Sequence, residues 1–184
     1  MTRVALAVIL LVVCPLEVAI AQSVLPDGAP VSHTKRIWQD AVPQIEPAPT
    51  RGNRSPYRVK GQTYTVLPKA DDYVEEGIAS WYGMKFNGRQ TANGDIYDVF
   101  AATAAHRSLP IPSYVRVTNL RNQRTVLLRV NDRGPFHDSR LIDLSYGAAL
   151  ALGFAESGTA PVRVEAVTPP GNESQQRSSA ERYR

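Results

Sequence analysis

The sequence has few of the residues that metal and redox sites need. Its only cysteine is Cys14, so the rest of the chain has neither disulfides nor thiolate chemistry. His106 has no second histidine or cysteine at metal-ligand spacing, while His33 lies in a proline-rich segment and His137 fits an exposed turn. The sequence also lacks a phosphate-binding loop, a nucleophile elbow, a dinucleotide fingerprint and any run of Lys or Arg. We therefore expect no metal, no cofactor and no nucleic-acid partner.

Long apolar runs are also scarce. The one clear run, residues 4–13, follows Arg3 and precedes a small-x-small pattern at residues 19–21, which predicts a cleaved signal peptide over residues 1–21. The run is shorter than the roughly 20 apolar residues of a membrane-spanning helix. We expect export to the periplasm, with membrane contact only through this segment, as an uncleaved anchor or through a lipid on Cys14. The net charge of +4 suits an anionic partner such as the cell wall.

The remainder divides by composition into four parts. Residues 22–56 contain six prolines and little apolar periodicity, which predicts an extended, mostly disordered tether. Residues 57–70 alternate around a central glycine and predict a small lead-in hairpin. Residues 71–168 are long enough for one modest core, and residues 169–184 predict a solvated tail. We expect a monomer with a single folded domain.

Within residues 71–168 the hydrophobic pattern has a period of two. Three sets of alternating residues predict half-buried strands: Val115, Val117 and Asn119; Val126, Leu128 and Val130; Val162, Val164 and Ala166. Asn87-Gly88 and Asn93-Gly94 supply the positive φ angles of tight turns. Only residues 143–153 resemble a helix, opened by capping side chains and closed by glycine. Short strands with one small helix predict a mainly β protein built as a β-barrel.

Three aspartates are candidates for chemistry. Asp132 follows a predicted strand and precedes a Gly-Pro turn, where a carboxylate is rigidly held yet open to a ligand, although it could simply cap that turn. Asp143 precedes the predicted helix and fits an N-cap as well as a catalytic group. Asp95 follows an Asn-Gly turn and fits a solvated turn residue equally well. His106 could bond to one of these carboxylates or pack in the core.

Aromatic residues near these positions suggest a sugar-binding groove. Trp81, Tyr82 and Tyr97 lie close to the candidate loops, and an aromatic plane beside polar groups suits the C–H faces of sugar rings. Each could also be an ordinary core residue. Together with the acidic loop ends, they favour a glycan groove.

The compact unit, residues 71–168, resembles a known family, rare lipoprotein A. The segments that carry the resemblance are GIASWYG (77–83), GRQTANG (88–94), ATAAH (102–106), VRVTNL (115–120), RVNDRGPF (129–136) and IDLS (142–145). The resemblance implies a six-stranded double-psi β-barrel related to expansins. It also implies an endolytic lytic transglycosylase that acts on peptidoglycan glycan strands at division septa, prefers strands without stem peptides and leaves 1,6-anhydro-muramyl ends.

Carried onto this sequence, the family's acidic pair is Asp95 and Asp132, with His106 nearby, and the expansin likeness adds Asp143. Thr91 and Arg133, from the same segments, join His106, Trp81, Tyr82 and Tyr97 as expected substrate-binding residues. Asp95 departs from the glutamate usual in the family, and its shorter arm sets the carboxyl back by more than the half ångström that productive geometry tolerates. Either Asp95 is an inefficient substitute, or its loop advances to compensate. The sporulation-related repeat domain of many members is not expected in residues 169–184.

Two other functions compete with the transglycosylase. A non-catalytic, expansin-like wall-binding and wall-loosening module is favoured by the shorter Asp95 side chain and the missing targeting domain. A hydrolase that uses water would leave reducing ends instead of anhydro ends. In the transglycosylase we assign the acid and base steps to Asp132, with Asp95 or Asp143 stabilising positive charge at the anomeric carbon.

Overall fold

The computed structural model describes residues 28–30 and 37–171. The predicted signal peptide, Cys14 and most of the predicted tail lie outside this range. The elements are β1 (Tyr57–Val59), β2 (Gln62–Tyr64), β3 (Val74–Trp81), a 3-10 helix (Met84–Phe86), β4 (Thr103–His106), β5 (Ser113–Asn119), β6 (Thr125–Asp132), β7 (Ile142–Leu144), α1 (Tyr146–Leu152) and β8 (Ala160–Ala166). Within the described residues, no helix has the length and hydropathy to cross a membrane.

Six strands close into one barrel in the order β3-β7-β4-β6-β5-β8. The pairs β3–β7 and β4–β6 are parallel, and the other four pairs are antiparallel. The alternating residues of the sequence line the interior, because Val115, Val117, Val126, Leu128, Val130, Val162 and Val164 are all buried. Closure leaves the barrel without an open sheet edge. The expected six-stranded barrel with one short helix is confirmed.

A register shift in β6 decides which side chains reach the barrel's outer face at one end. Ala104 pairs with Val130, but the next residue, Ala105, pairs with Asp132, so Asn131 is the extra residue of a bulge. On its other side Ala105 pairs with Asp143 of β7, which in turn pairs with Ser80 of β3. Cross-strand partners share a face of the sheet. Asp132, Ala105, Asp143 and Ser80 therefore form one row across four strands, which we call the acidic row.

The helix closes one side of the barrel and begins later than expected. Ser145, not Asp143, is the N-cap, and its hydroxyl accepts a hydrogen bond from the Ala148 amide at 3.1 Å. Asp143 lies in β7, so its expected capping role is wrong, because the chain continues as a strand up to Leu144. Gly153 ends the helix at a φ of 75°, in the left-handed conformation that the predicted C-terminal glycine requires.

The segment before the barrel has no helix or strand over residues 37–56, yet it lies along the barrel wall. We call it the strap. Asp40 and Ala41 bond to the Leu127 backbone of β6 at 3.0 and 2.9 Å, and Glu46 accepts two hydrogen bonds from Arg129. Further along, Asn53 bonds to both the amide and the carbonyl of Ile111. This part of the predicted tether thus contacts the barrel through specific hydrogen bonds.

The lead-in segment forms an antiparallel hairpin, with β1 paired to β2 through the turn at Lys60 and Gly61. Tyr57 and Tyr64 stack with ring centroids 5.4 Å apart, and both rings contact Phe136. The hairpin therefore packs beside the turn that follows Asp132.

Gly147 tests the tightness of the helix–barrel packing. A Cβ at this position would lie 2.8 Å from the Phe100 carbonyl oxygen and 3.0 Å from its Cα. We expect Gly147→Ala to lower the free energy of unfolding by about 1–3 kcal/mol, because the overpacking exceeds alanine's better helix propensity. Urea denaturation measures this change. Leu150→Ala, at an exposed position of the same helix, is the control, and equal stability of the two variants would contradict the close approach.

Candidate active site

A groove of about 460 Å³ runs over the end of the barrel that carries the acidic row. Asp132 and Asp143 both line it. The aromatic residues that line it are Trp81, Tyr82, Phe86, Tyr97 and Phe136, and the basic ones are Lys60, Lys85, Arg89, Arg133, His137 and Arg140. The groove thus combines carboxyl groups, ring faces and positive charge, as expected for a site that binds an anionic polysaccharide.

Asp132 is anchored by only one of its carboxyl oxygens. Oδ1 accepts hydrogen bonds from the amides of Ala92 and Arg133, both at 2.8 Å. Among the described residues, nothing donates a hydrogen bond to Oδ2. Burial raises the pKa of Asp132, and the two amide hydrogen bonds and the charge of Arg133 oppose this shift only in part. One oxygen is therefore fixed while the other is available to a ligand, on a carboxyl group that holds its proton more tightly than an ordinary aspartic acid.

Asp143 is engaged through both oxygens. The Ser80 hydroxyl donates to Oδ1 at 2.5 Å, and the Arg140 guanidinium lies 3.5 Å from Oδ2. Burial raises the pKa of Asp143, whereas Ser80 and Arg140 favour its ionised form. Ala105 pairs with Asp132 on one side and with Asp143 on the other. The Cα atoms of the two aspartates therefore lie two strand spacings, roughly 10 Å, apart. This spacing leaves room for a ligand between the two carboxyl groups.

The aromatic residues pack edge to face along the groove. The ring centroid of Tyr82 lies 5.1 Å from that of Tyr97 and 6.0 Å from that of Phe86. The Trp81 ring contacts Tyr146, and its indole N–H donates to the Ala155 carbonyl at 3.1 Å. Burial strongly raises the pKa of Tyr82, and the charges of Asp132 and Asp143 raise it further. The Tyr82 hydroxyl is therefore neutral and sits within the field of both carboxyl groups.

Asp95 does not line the groove. Its Oδ2 accepts hydrogen bonds from Arg129, Asn131 and Asn93. Burial opposes the effect, but these hydrogen bonds and the charge of Arg129 hold the pKa of Asp95 below its usual value. Two of the groups that bind it, Arg129 and Asn131, do not line the groove either. The structure therefore brings Asp132 and Asp143 together and leaves the Asp95 carboxylate in a separate ion pair.

His106 is fully buried and also lies outside the groove. As the neighbour of Ala105 in β4, it projects to the opposite side of the strand from the acidic row. Its Nδ1 accepts from the Ser108 and Leu109 amides, and its Nε2 is 2.9 Å from the Tyr73 hydroxyl. We assign the ring proton to Nε2 from this network. Burial first, then the charges of Arg107 and Arg133, lower the pKa of His106 to about 3, so the ring is neutral.

Arg133 and Thr91 line the groove, but their polar groups bind the protein itself. The Arg133 guanidinium donates to the carbonyls of Gly52, His106 and Leu109 and to the Asn53 side chain. The Thr91 hydroxyl bonds to Asn93 Oδ1 at 2.7 Å. Both residues thus shape the wall of the groove.

Sequence reasoning missed three contributors: Ser80, Arg140 and the Ala92 amide. Ser80 and Arg140 bind Asp143, and the Arg140 guanidinium also donates through Nη1 to the Ser80 hydroxyl at 2.9 Å. Ser80 directly precedes Trp81 in the segment GIASWYG, but its partner Asp143 lies 63 residues away in sequence. Among the described residues, no group of three or more His, Cys, Asp or Glu side chains could hold a metal ion.

The closed six-stranded barrel with two parallel strand pairs places the protein in the class of double-psi β-barrel proteins. Residues 74–164 match the family model described as lytic transglycolase. The barrel domain of this chain belongs to the rare lipoprotein A family. The match begins with β3 and ends within β8, so it covers the barrel and the groove.

Relatives in three bacteria carry the name "Endolytic peptidoglycan transglycosylase RlpA". The chain is 52% identical to that of Vibrio cholerae over 130 residues, covering 71% of this chain and 49% of the relative. It is 51% identical to that of Pseudomonas aeruginosa over 149 residues (78% and 42%) and 52% identical to that of Neisseria meningitidis over 130 residues (71% and 54%). The chain thus spans about half the length of the curated relatives it matches. Among solved structures, the Streptomyces papain inhibitor superposes with a TM-score of 0.44 at 22% identity, over 55% of this chain and 98% of that one.

The buried, neutral His106 predicts a specific acid sensitivity. Because its pKa is about 3 in the folded protein and 6.5 when unperturbed, its contribution to stability is present above pH 6.5 and is lost as the pH falls towards 3. We expect His106→Asn, which keeps an acceptor near the position of Nδ1, to remove this part of the pH dependence. Denaturation between pH 3 and 7 measures it.

The exposed His137 provides the matched control as His137→Asn. If His106→Asn and wild type lost stability in parallel as the pH falls, His106 would not be the buried neutral group described above.

Proposed function

We propose that this protein is an endolytic peptidoglycan transglycosylase that cleaves the bond between N-acetylmuramic acid and N-acetylglucosamine. The observation that carries the proposal is the anchoring of Asp132 by Oδ1 alone, on a groove of matched aromatic and basic character. The family and the names of its relatives support the reaction class. We propose that the chain is exported to the periplasm, as its predicted signal peptide indicates. We also propose that it acts there as a monomer.

In the proposed reaction, Asp132 acts first as an acid. A carboxyl group with a raised pKa retains its proton and can transfer it from Oδ2 to the bridging glycosidic oxygen. As that C–O bond breaks, the N-acetylglucosamine hydroxyl leaves and positive charge develops at the anomeric carbon of the muramyl residue. Asp143, whose ionised form is stabilised by Ser80 and Arg140, lies across the groove and stabilises this charge.

Asp132 then acts as the base. Its carboxylate removes the proton from the 6-hydroxyl of the same muramyl residue while that oxygen bonds to the anomeric carbon. The product has a 1,6-anhydro end, water is not consumed, and Asp132 regains its proton. A single carboxyl group is sufficient for both steps, so the separate ion pair of Asp95 does not obstruct the reaction.

We further propose a preference for strands without stem peptides. A muramyl residue that has lost its peptide bears a free lactyl carboxylate, whereas in the intact material this group is an amide. Lys60, Lys85 and Arg89 line the groove and give it positive charge that favours the free carboxylates. Tyr82 and Phe86 offer ring surface to the sugars in the same groove, while Tyr97 is buried and packs against Tyr82.

The first test is digestion of purified, amidase-treated glycan strands, with anhydro-muramyl products detected by mass spectrometry. We expect Asp132→Asn to lower product formation by about 10²–10⁴-fold, because an amide cannot supply or accept the proton. Asp138→Asn, at an exposed position a few residues on, is the control and should retain wild-type activity.

Wild-type protein that binds the strands but yields no new ends would overturn the enzymatic proposal and support an expansin-like wall-loosening role. Reducing ends in place of anhydro ends would identify a hydrolase.

The same assay against pH tests the role of Asp132 as the acid. Activity should fall as the pH rises through the pKa of Asp132 and the group loses its proton, and burial should move this limb above the range of an ordinary aspartic acid. Asp143→Asn should lower kcat with little change in KM, because Asp143 acts on charge that develops only in the transition state. A variant with unchanged kcat would remove Asp143 from the mechanism.

A further inference from the structure

The strap contacts the barrel at the two segments that hold Asp132. These segments provide the only described hydrogen-bond donors to its carboxyl group: the Ala92 amide, in the turn at residues 91–95, and the Arg133 amide at the end of β6. Neither segment is a regular strand or helix. Their positions therefore depend on what packs behind them.

The turn at residues 91–95 rests directly on strap backbone. A Cβ on Gly52 would lie 3.2 Å from the Ala92 carbonyl oxygen, and a Cβ on Gly94 would lie 2.6 Å from the Arg51 guanidinium. Both glycines have positive φ angles, 95° at Gly52 and 103° at Gly94, which favour glycine at these two positions. The strap and this turn are therefore in direct contact.

A network of charged side chains binds the other end of the same turn, at Asp95. Glu46 in the strap accepts two hydrogen bonds from Arg129, from Nε at 2.8 Å and from a terminal nitrogen at 2.7 Å. The second terminal nitrogen of Arg129 donates to Asp95, which ends the turn. The Tyr114 hydroxyl also donates to Glu46. Glu46 and Arg129 have about one fifth of their side-chain surface exposed, so solvent screens this pair less than an open surface pair.

The second donor is held by the strap in a similar way. The Arg133 guanidinium donates to the Gly52 carbonyl at 2.8 Å and to the Asn53 side chain at 2.9 Å. The strap thus fixes both segments whose amides bind Asp132 Oδ1. The polar strap residues thus have partners on β6 and on the residue that follows it, roughly 80 residues later in the chain.

We propose that Glu46 is a positioning residue for Asp132, which it holds in place through Arg129, Asp95 and the Ala92 amide. The proposal rests on the proposed acid and base role of Asp132 only for its effect on turnover. It gives Asp95 a place in the site: the carboxylate anchors the turn from behind, instead of contacting the glycan. The strap is accordingly part of the functional unit.

Glu46→Gln tests the proposal. Loss of its charge weakens the contact with Arg129, so the turn and the Ala92 amide move relative to Asp132. We expect kcat for glycan cleavage to fall about tenfold with little change in KM, because misplacement of a reacting group affects the chemical step. Asp95→Asn should have a similar effect, and Glu46→Asp, which keeps the charge, should fall between Glu46→Gln and wild type. Glu76→Gln, at an exposed position of β3, is the control.

A second readout does not require activity. An amide hydrogen bond favours the ionised form, so weakening the Ala92 contact should raise the pKa of Asp132, as followed by ¹³C NMR titration of its carboxyl carbon. The titratable and basic groups around Asp132 are the same in all variants: Tyr82, Tyr97, Arg133 and Asp143, with Lys60, Lys85, Arg89, His137 and Arg140 along the groove. Loss of negative charge at Glu46 or Asp95 would by itself lower the pKa of Asp132, so a raised pKa can be attributed to the turn.

The two proposals fail in distinguishable ways. If Glu46→Gln melts at a lower temperature but leaves both kcat and the Asp132 titration unchanged, the strap has a structural role only and the positioning proposal is overturned. If wild-type protein yields no anhydro ends, the proposed function fails, while the NMR titration still decides whether Glu46 positions Asp132.

Discussion

The site depends on one irregularity in β6, the extra residue at Asn131. The shift pairs Ala105 with Asp132 and thereby sets Asp132 in one row with Asp143 and Ser80. A regular strand would have placed Asn131 in that row and turned Asp132 to the opposite face. The barrel can hold such a bulge because the strands on both sides fix the rest of the register. The strand pairing that closes the barrel therefore decides which carboxyl groups lie together in the groove.

The two carboxyl groups of the row have different surroundings, which suits different tasks. Asp132 is bound by backbone amides through one oxygen, and Asp143 is bound by Ser80 and Arg140 through both. Burial raises the pKa of each. The basic partner at Asp143 favours its charged form, while the free oxygen of Asp132 remains open to a ligand. This asymmetry is the basis of the proposal that Asp132 transfers the proton and Asp143 stabilises charge.

A second layer of side chains surrounds this pair and does not line the groove. It consists of His106, Asp95 and the strap residue Glu46. Their charges and hydrogen bonds are directed at other protein groups, and they affect a ligand only through the residues they hold. The Ala92 and Arg133 amides that bind Asp132 lie outside the strands, so their positions depend on such support.

The sequence by itself determined the barrel, its interior residues and the helix, since periodicity, Asn-Gly turns and a closing glycine act over a few neighbouring residues. It also identified Asp132, Asp143 and most of the groove aromatics. Only the tertiary structure decided which aspartates meet, because a bulge has no local sequence signal and Asp95 finds its partner Arg129 34 residues away. It likewise decided that Ser145 caps the helix and that the proline-rich residues 37–56 lie on the barrel. Proline-rich sequence predicts an extended backbone, but the residues that bind it lie on a wall that exists only after folding.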